Sequence, residues 1–227
     1  MPSSPERVAP AESPPRDSGA SWRAWNRRLH FYLGLYFLFF VWLFALSGLL
    51  LNHNAWSFAE FWPNRKVATS ERGIQPPPAG TMLDDAQDIM RQLGLAGEIQ
   101  WAATTREPTR FQFLVSRPGL AFDIKADLRN ARATVQRTEV NPWGTLRALH
   151  TFTGVRIGDT QNRRDWILTT AWALSMDAVA AGLVVMVLSG LVMWWGLPTK
   201  RTWGLVAFVA GVLVCGWLVA GLRFGSA

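Results

Sequence analysis

The sequence contains a single cysteine, Cys215, so no disulfide can form within the chain. It has no CxxC pair and therefore no thiolate metal site of that kind. The HExxH, GxSxG and Walker-loop patterns are absent as well, which argues against a zinc hydrolase, a serine hydrolase and a P-loop nucleotide site. Charged residues make up only 17% of the 227 positions and are nearly missing from three long apolar runs.

The net charge of +7 does not indicate a nucleic-acid partner. Several of the basic residues flank the apolar runs, where membrane orientation explains them, and most of the others are scattered between Arg106 and Arg164. The 13 tryptophans fall mostly near the ends of predicted helices, as in the aromatic belts of membrane proteins. The partner that the composition predicts is therefore a lipid bilayer.

The run from Leu29 to Leu51 is the strongest structural signal in the chain. Its 23 residues would form a helix of about 34 Å, enough to cross a hydrocarbon core of about 30 Å. We predict transmembrane helix 1 over residues 22–53. Because Arg23, Arg27 and Arg28 precede it, the N-terminus is expected on the cytoplasmic side. Residues 1–21, rich in proline, are predicted to be a disordered cytoplasmic tail.

Two further apolar runs predict transmembrane helix 2 over residues 166–196 and helix 3 over residues 202–223. The basic, helix-breaking turn at 197–201 joins them and is expected in the cytoplasm. Residues 54–165 then lie on the outer face of the membrane. This gives a multi-pass protein with three spans and one external soluble domain.

The external region is predicted to contain a small α+β domain at residues 81–140. Thr81 and Asp84 form a capping-box pattern before a helical repeat of apolar residues that stops at Gly94. Apolar residues alternate with polar ones in Arg110–Ser116 and Leu120–Leu128, which predicts strands with one buried face. Glu98–Thr104 and Ala131–Thr138 are the further expected strands. The fold class is a helix on an antiparallel sheet, attached to three transmembrane helices.

Two connecting segments flank this domain. Residues 54–80 are predicted to be an aromatic interfacial piece followed by a proline-stiffened linker. Residues 141–165 are predicted to be a short helix and a polar loop, with Pro142 at the first helical position and His150 near the helix end.

The three histidines are the main candidates for chemistry. His53 follows helix 1 and His150 precedes helix 2, so both are expected on the outer side of the membrane. Two neutral imidazoles beside apolar helices are a suitable axial pair for haem b. The alternative is that each histidine is an interfacial residue that binds water or lipid headgroups.

His30 and Asp177 stand apart from that pair. His30 lies 23 residues before His53 and is therefore expected at the opposite membrane face, where it has no histidine partner in the same chain. Asp177 is the one acidic residue near a membrane core, and ionisable groups in such positions are candidates for function. Its expected place near the outer interface, where water reaches it, weakens that interpretation.

The chain resembles the PepSY-associated transmembrane family in three places. These are the segment RRLHFYLGLYFLFFVWLFALSGLLLNH (27–53), the tripeptide LeuHisThr (149–151) with a later helix that ends in SGLVMWW (189–195), and the helix-plus-sheet unit, which is similar to a PepSY domain. Together they cover about residues 22–196. The resemblance implies a bacterial inner-membrane protein with its PepSY-like domain in the periplasm, and His30, His53 and His150 at the family's histidine positions.

Some members of that family are haem-containing reductases that release iron from ferric siderophores, so the resemblance implies haem b as cofactor and a ferric siderophore as substrate. With one outer haem, the electrons would come from quinol, or a homodimer would pair two copies of His30 around a second haem. PepSY domains elsewhere inhibit or chaperone secreted peptidases. The alternative function is therefore a membrane-anchored interaction module with a periplasmic protein partner, or an accessory subunit of an envelope complex.

Overall fold

A computed structural model describes residues 18–78, 80–154 and 163–224 of the chain. The helices are α1 (Ser18–Asn52), α2 (Met82–Leu93), α3 (Pro142–Thr151), α4 (Ile167–Trp195) and α5 (Arg201–Phe224). The strands are β1 (Lys66–Gly73), β2 (Glu98–Ile99), β3 (Thr105–Arg106), β4 (Arg110–Arg117), β5 (Leu120–Asp127) and β6 (Arg132–Glu139). Short 3₁₀ turns lie at Ser57–Ala59, Trp101–Ala103 and Pro198–Lys200.

Three of these helices are long and apolar enough to cross a membrane. The candidate spans are Ser21–Asn52, Ile167–Trp195 and Pro198–Phe224. This agrees with the three apolar helices expected from the sequence. Helix α1 begins at Ser18, a turn earlier than predicted, so the last residues assigned to the tail are helical. Residues 1–17 of the predicted tail lie outside the described residues.

The strands form one antiparallel sheet in the order β1-β6-β5-β4-β2, with β3 also paired to β4. The β4–β5 hairpin sets Val115 opposite Phe122 and Phe113 opposite Ile124. These four side chains lie on the same face and are buried. The period-2 alternation in the sequence therefore predicted the buried face of both strands correctly.

Helix α2 packs its apolar side on that face of the sheet. Thr81 accepts a hydrogen bond from the Asp84 N–H, and the Asp84 carboxylate accepts one from the Thr81 N–H, so the predicted capping box is present. Gly94 ends the helix in a left-handed conformation, with φ of 67°. The buried core of the domain consists of Ile74, Ala86, Ile89, Met90, Leu93, Ile99, Phe111, Phe113, Val115, Phe122, Ile124, Ala126, Ala133 and Val135.

Strand β1 lies in the segment 54–80, where the sequence analysis placed a linker and no strand. It pairs along its whole length with β6, from Lys66 opposite Glu139 to Gly73 opposite Arg132. All eight residues of β1 are exposed. A strand with no buried face has no apolar alternation to announce it, and for that reason the sequence pattern gave no signal. At the other side of the sheet, the expected strand Glu98–Thr104 is only the two-residue β2, followed by a 3₁₀ turn.

The chain divides into two compact units. The first, which we call the helical-end unit, comprises residues up to Tyr36 together with those from Gly182 onward. The second, which we call the sheet unit, is Phe37–Ala181. The sheet unit contains the last turns of α1, the complete sheet, α2, α3 and the first half of α4.

Candidate functional site

Helix α3 carries the candidate ligand His150 within the sheet unit, and its first turn is fixed by side chains. The Asn141 side chain accepts a hydrogen bond from the Gly144 N–H at 3.0 Å and donates one to the Glu60 carbonyl at 2.7 Å. A Cβ on Gly144 would come within 2.8 Å of the Phe61 ring. The start of α3 thus fits closely against the segment that follows α1.

At its other end α3 places His150 against α1. The imidazole lies over Gly48, where an added Cβ would be 3.3 Å from the His150 Cε1. The ring of Phe44 is 5.1 Å away, centroid to centroid. His150 Nδ1 lies 2.7 Å from the Oγ of Ser47, whose side chain is 1% exposed. The small Gly48 lets the ring approach the helix, and Ser47 holds one of its nitrogens.

The hydrogen bonds around Ser47 assign the tautomer of His150. Ser47 Oγ lies 2.7 Å from the Leu43 carbonyl, which can only accept, so the single hydroxyl proton points there. The hydroxyl oxygen must then accept from His150, and Nδ1 is the protonated nitrogen. In the neutral ring this leaves the lone pair on Nε2, which is the arrangement in which a histidine binds a metal through Nε2.

His53 follows the last residue of α1 and has the same tautomer by a similar argument. Its Nδ1 lies 3.0 Å from the Leu49 carbonyl, so Nδ1 donates and Nε2 keeps the lone pair. The exposed ring stacks on Trp56 at 4.3 Å, and Trp56 stacks on Phe58 at 5.4 Å. Phe58 in turn meets the edge of Trp143 at 5.5 Å. His53 therefore stands at the end of a row of aromatic rings.

Arg147, which was not singled out from the sequence, lies near both His150 and His53. It lies three residues before His150 on α3, and its side chain is 5% exposed. Its Nη2 donates to the His53 carbonyl at 3.5 Å, and the guanidinium lies 5.0 Å from the centre of the Phe61 ring. Within the described ranges no carboxylate pairs with it. A buried arginine beside the backbone of His53 gives this site a positive charge.

No hydrogen bond or ring contact joins His53 to His150 in the described part of the sheet unit. Their separation around α1 explains this, because a residue five positions after Gly48 points about 140° away from it. The prediction that the two imidazoles share one haem stays a prediction. Among the residues described, no group of three or more His, Cys, Asp or Glu side chains could hold a metal ion.

His30 lies in the helical-end unit, with a setting that parallels that of His150. Its Cε1 is 3.8 Å from the position a Cβ would take on Gly190. The neighbouring Ser189 is buried, and its carbonyl accepts a hydrogen bond from Asn26 at 3.1 Å. In the described ranges, however, neither His30 Nδ1 nor Ser189 Oγ has a hydrogen-bond partner.

Asp177 is an exposed residue in the interior of α4. No ion pair or hydrogen bond involves its carboxylate among the residues that the structure describes. Its role as a functional acid stays a prediction, and it does not join either histidine.

A buried carboxylate that sequence reasoning missed fixes the sheet to the start of α4. Glu98, on β2, is 0% exposed. It accepts the N–H of Asp165 at 2.6 Å and that of Trp166 at 3.1 Å, two donors that precede the first turn of α4. Burial raises the pKa of Glu98, and the two N–H groups oppose this shift without cancelling it. A lone glutamate in a predicted strand carries no sequence signal for this role.

Both histidine contacts involve the same tetrapeptide, Leu-Ser-Gly-Leu, at 46–49 in α1 and at 188–191 in α4. Both Ser-Gly pairs lie within the segments 27–53 and 189–195 that carry the family resemblance. The similarity of the two segments becomes apparent only in the structure, where His150 lies over Gly48 and His30 over Gly190. Comparisons with family models, curated proteins and solved structures found no match for the chain.

Proposed function

We propose that this chain is a multi-pass protein of the bacterial inner membrane whose PepSY-like sheet domain faces the periplasm and whose His53 and His150 bind haem b. Electrons would pass from there to ferric iron or a ferric siderophore. The single observation that supports this is the hydrogen bonding of the two imidazoles. Each uses Nδ1–H for a protein acceptor, Leu49 O or Ser47 Oγ, and so keeps Nε2 for a metal.

The side chains of His53 and His150 are chemically suited to bind haem, and the two differ in how firmly the protein holds them. His150 is anchored by Ser47, Gly48 and Phe44 and would be the fixed ligand. His53 has an exposed ring at the end of α1, on a different side of that helix from Gly48, so a haem shared with His150 would require the chain after α1 to shift. Arg147 supplies positive charge beside His53, which would favour an anionic group there. The haem itself would supply the one-electron chemistry.

The test is a dithionite-reduced minus oxidised visible spectrum of the full chain, purified in detergent from haem-replete cells. We expect a b-type spectrum from the unchanged protein and its loss in both His53→Ala and His150→Ala. Ser47→Ala should retain haem but bind it more weakly, because it frees the fixed ligand. A featureless spectrum from the unchanged protein would exclude this function.

His30→Ala is the matched control, since it removes an imidazole that also lies on a Ser-Gly pair. If one chain binds one haem through His53 and His150, haem content stays constant in this variant. A fall to about two thirds would instead support the further haem that a homodimer would share between its two His30 side chains, because the dimer would then hold two outer haems and one shared one. Loss of the whole spectrum in His30→Ala, with His53→Ala unaffected, would contradict the ligand assignment.

A second candidate, a module that binds a periplasmic protein, is favoured by the exposed edge strand β1. In the described part of the sheet, β1 pairs only with β6, and its other side presents backbone N–H and C=O groups. Such an edge can accept a strand from a partner. A photo-crosslinking residue at Ser70 in living cells should then give a discrete adduct, while the same residue at Gln112 on the interior strand β4 should give none. Equal labelling at the two positions would count against it.

A further inference from the structure

A cavity of about 260 Å³ lies between the start of α1 and the end of α4 within the helical-end unit. Its lining has two sides of different character. Arg23, Asn26 and Arg27 come from α1, and Val192, Met193, Gly196 and Leu197 come from α4 and the turn after it. The volume is far above the about 30 Å³ of one water and just below the about 300 Å³ at which small-molecule pockets begin.

The charges at this cavity have no counter-ion among the described residues of the helical-end unit. Residues 18–36 and 182–224 contain no aspartate or glutamate, so nothing in the described part of this unit neutralises the arginines. Arg23 and Arg27 are one helical turn apart on the same face, where two like charges repel each other. An anion between them would remove that repulsion and could accept bidentate hydrogen bonds from each guanidinium.

The other wall of the cavity selects among anions. Val192, at the end of a helix that is suited to a membrane, and Leu197, in the turn after it, are exposed apolar residues, and Met193 adds a flexible side chain. A free inorganic anion would gain nothing from this wall. A phospholipid has a phosphodiester for the arginines and a glycerol and acyl region for the apolar side, and the site lies beside the stacked Trp22 and Trp25.

We propose that this cavity binds the headgroup of an anionic diacyl phospholipid, with its phosphodiester between Arg23 and Arg27. Asn26 shapes the floor. It is 5% exposed, and its amide donates to the Ser189 carbonyl, which holds α1 against α4 at the depth of the cavity. The site does not depend on the histidine chemistry and would exist whether or not the chain binds haem.

The experiment is native mass spectrometry of the detergent-purified full chain, titrated with phosphatidylglycerol or with phosphatidylcholine of the same acyl chains. Phosphatidylglycerol should bind at least about tenfold more tightly. Arg27→Gln should weaken its binding about fivefold or more, and Arg23→Gln similarly, since each basic residue contributes about this factor at a membrane surface. Arg27→Lys should retain most of the affinity because it retains the charge.

Arg28→Gln is the matched control, because it removes the same charge from the next position without touching the cavity. Its effect should stay below about twofold. Val192→Phe fills the cavity with all arginines intact and should abolish the preference for phosphatidylglycerol. Equal losses in Arg27→Gln and Arg28→Gln would overturn the proposal in favour of diffuse surface charge. Competition by inorganic phosphate at concentrations similar to the lipid would overturn it in favour of a free-anion site.

Discussion

The two Leu-Ser-Gly-Leu segments make the same contact with different results. At Gly48 the imidazole of His150 sits tightly on the helix, and the serine hydroxyl binds its Nδ1. At Gly190 the imidazole of His30 lies half an ångström farther out (3.8 against 3.3 Å), and both polar groups lack partners in the described ranges. Glycine thus makes room for a histidine in both units, but only the sheet unit fixes the ring.

This difference shows what helix α3 contributes. His150 comes from α3, whose position is set separately by Asn141 and Arg147, so the ring is delivered to Ser47 at hydrogen-bond distance. His30 belongs to α1 itself and reaches Gly190 only as far as the pairing of α1 with α4 permits. A buried polar group without a partner costs about 1–3 kcal/mol. The setting of His30 is therefore the one that a ligand, a water molecule or a second chain can improve.

The largest expected difference between the two segments concerns the serines. Ser47→Ala leaves His150 Nδ1–H without its acceptor and should lower the free energy of unfolding by about 1–3 kcal/mol. Ser189→Ala removes a buried hydroxyl that has no partner among the described residues, and it should be neutral or stabilising. Thermal unfolding of the full chain in detergent, followed by circular dichroism, measures both. Equal losses would mean that Ser189 has a partner in solution.

Replacing glycine by alanine should change the stability in opposite directions at Gly48 and at Gly190. Gly48→Ala places a Cβ 3.3 Å from the His150 Cε1, and because Ser47 holds that ring in place the variant should cost about 1–2 kcal/mol through overpacking. Gly190→Ala makes an ordinary contact with His30 and should gain about 0.5–1 kcal/mol, since alanine stabilises a helix interior relative to glycine. The same thermal assay applies to both variants. A destabilised Gly190→Ala variant would show that His30 packs as tightly as His150.

Glu98 is a buried carboxyl with hydrogen-bond partners, and its titration should make the stability of the protein depend on pH. Its folded-state pKa is raised by burial, so its contribution to stability is full below the ordinary glutamate pKa and is lost as the pH rises through the raised value. Glu98→Gln removes this titration. We expect the stability of the unchanged protein to fall relative to that of the variant as the pH increases from about 4.5 upward, the range that follows from the ordinary value. Denaturant titrations across that range measure the difference, and a constant difference would refute the assignment.

The sequence predicted the elements whose signal is local. The three apolar helices, the capping box at Thr81 and the buried faces of β4 and β5 depend on hydrophobic length and period, and they are present as expected. Strand β1 could not be predicted because it has no buried face, and its pairing with β6 depends on backbone hydrogen bonds and one exposed ion pair, Arg132 with Glu71. It depends on a partner strand 59 to 73 residues away along the chain, which no local pattern encodes.

The candidate site, too, has a part that the sequence predicted and a part that it did not. Histidine is rare enough here for His30, His53 and His150 to be selected as candidates from the sequence alone. The surroundings of these histidines could not be predicted, because the contacts of Ser47, Gly48 and Arg147 form only when α3 lies against α1. Glu98 is the clearest case, since a charged residue at a predicted strand is expected to face water and this one is fully buried.

The described part of the helical-end unit contains basic residues and no acidic ones, which has an electrical consequence. Arg23, Arg27, Arg28, Lys200 and Arg201 lie at or near the end of α1 and α4 that forms the cavity, and residues 18–36 and 182–224 contain no carboxylate side chain that reduces their summed charge. Moving one charge across a potential of 100 mV takes about 2.3 kcal/mol, so five of them amount to about 12 kcal/mol. In an energised membrane the voltage itself would hold this end at the negative side, and collapse of the potential would remove that restraint without any change in the protein.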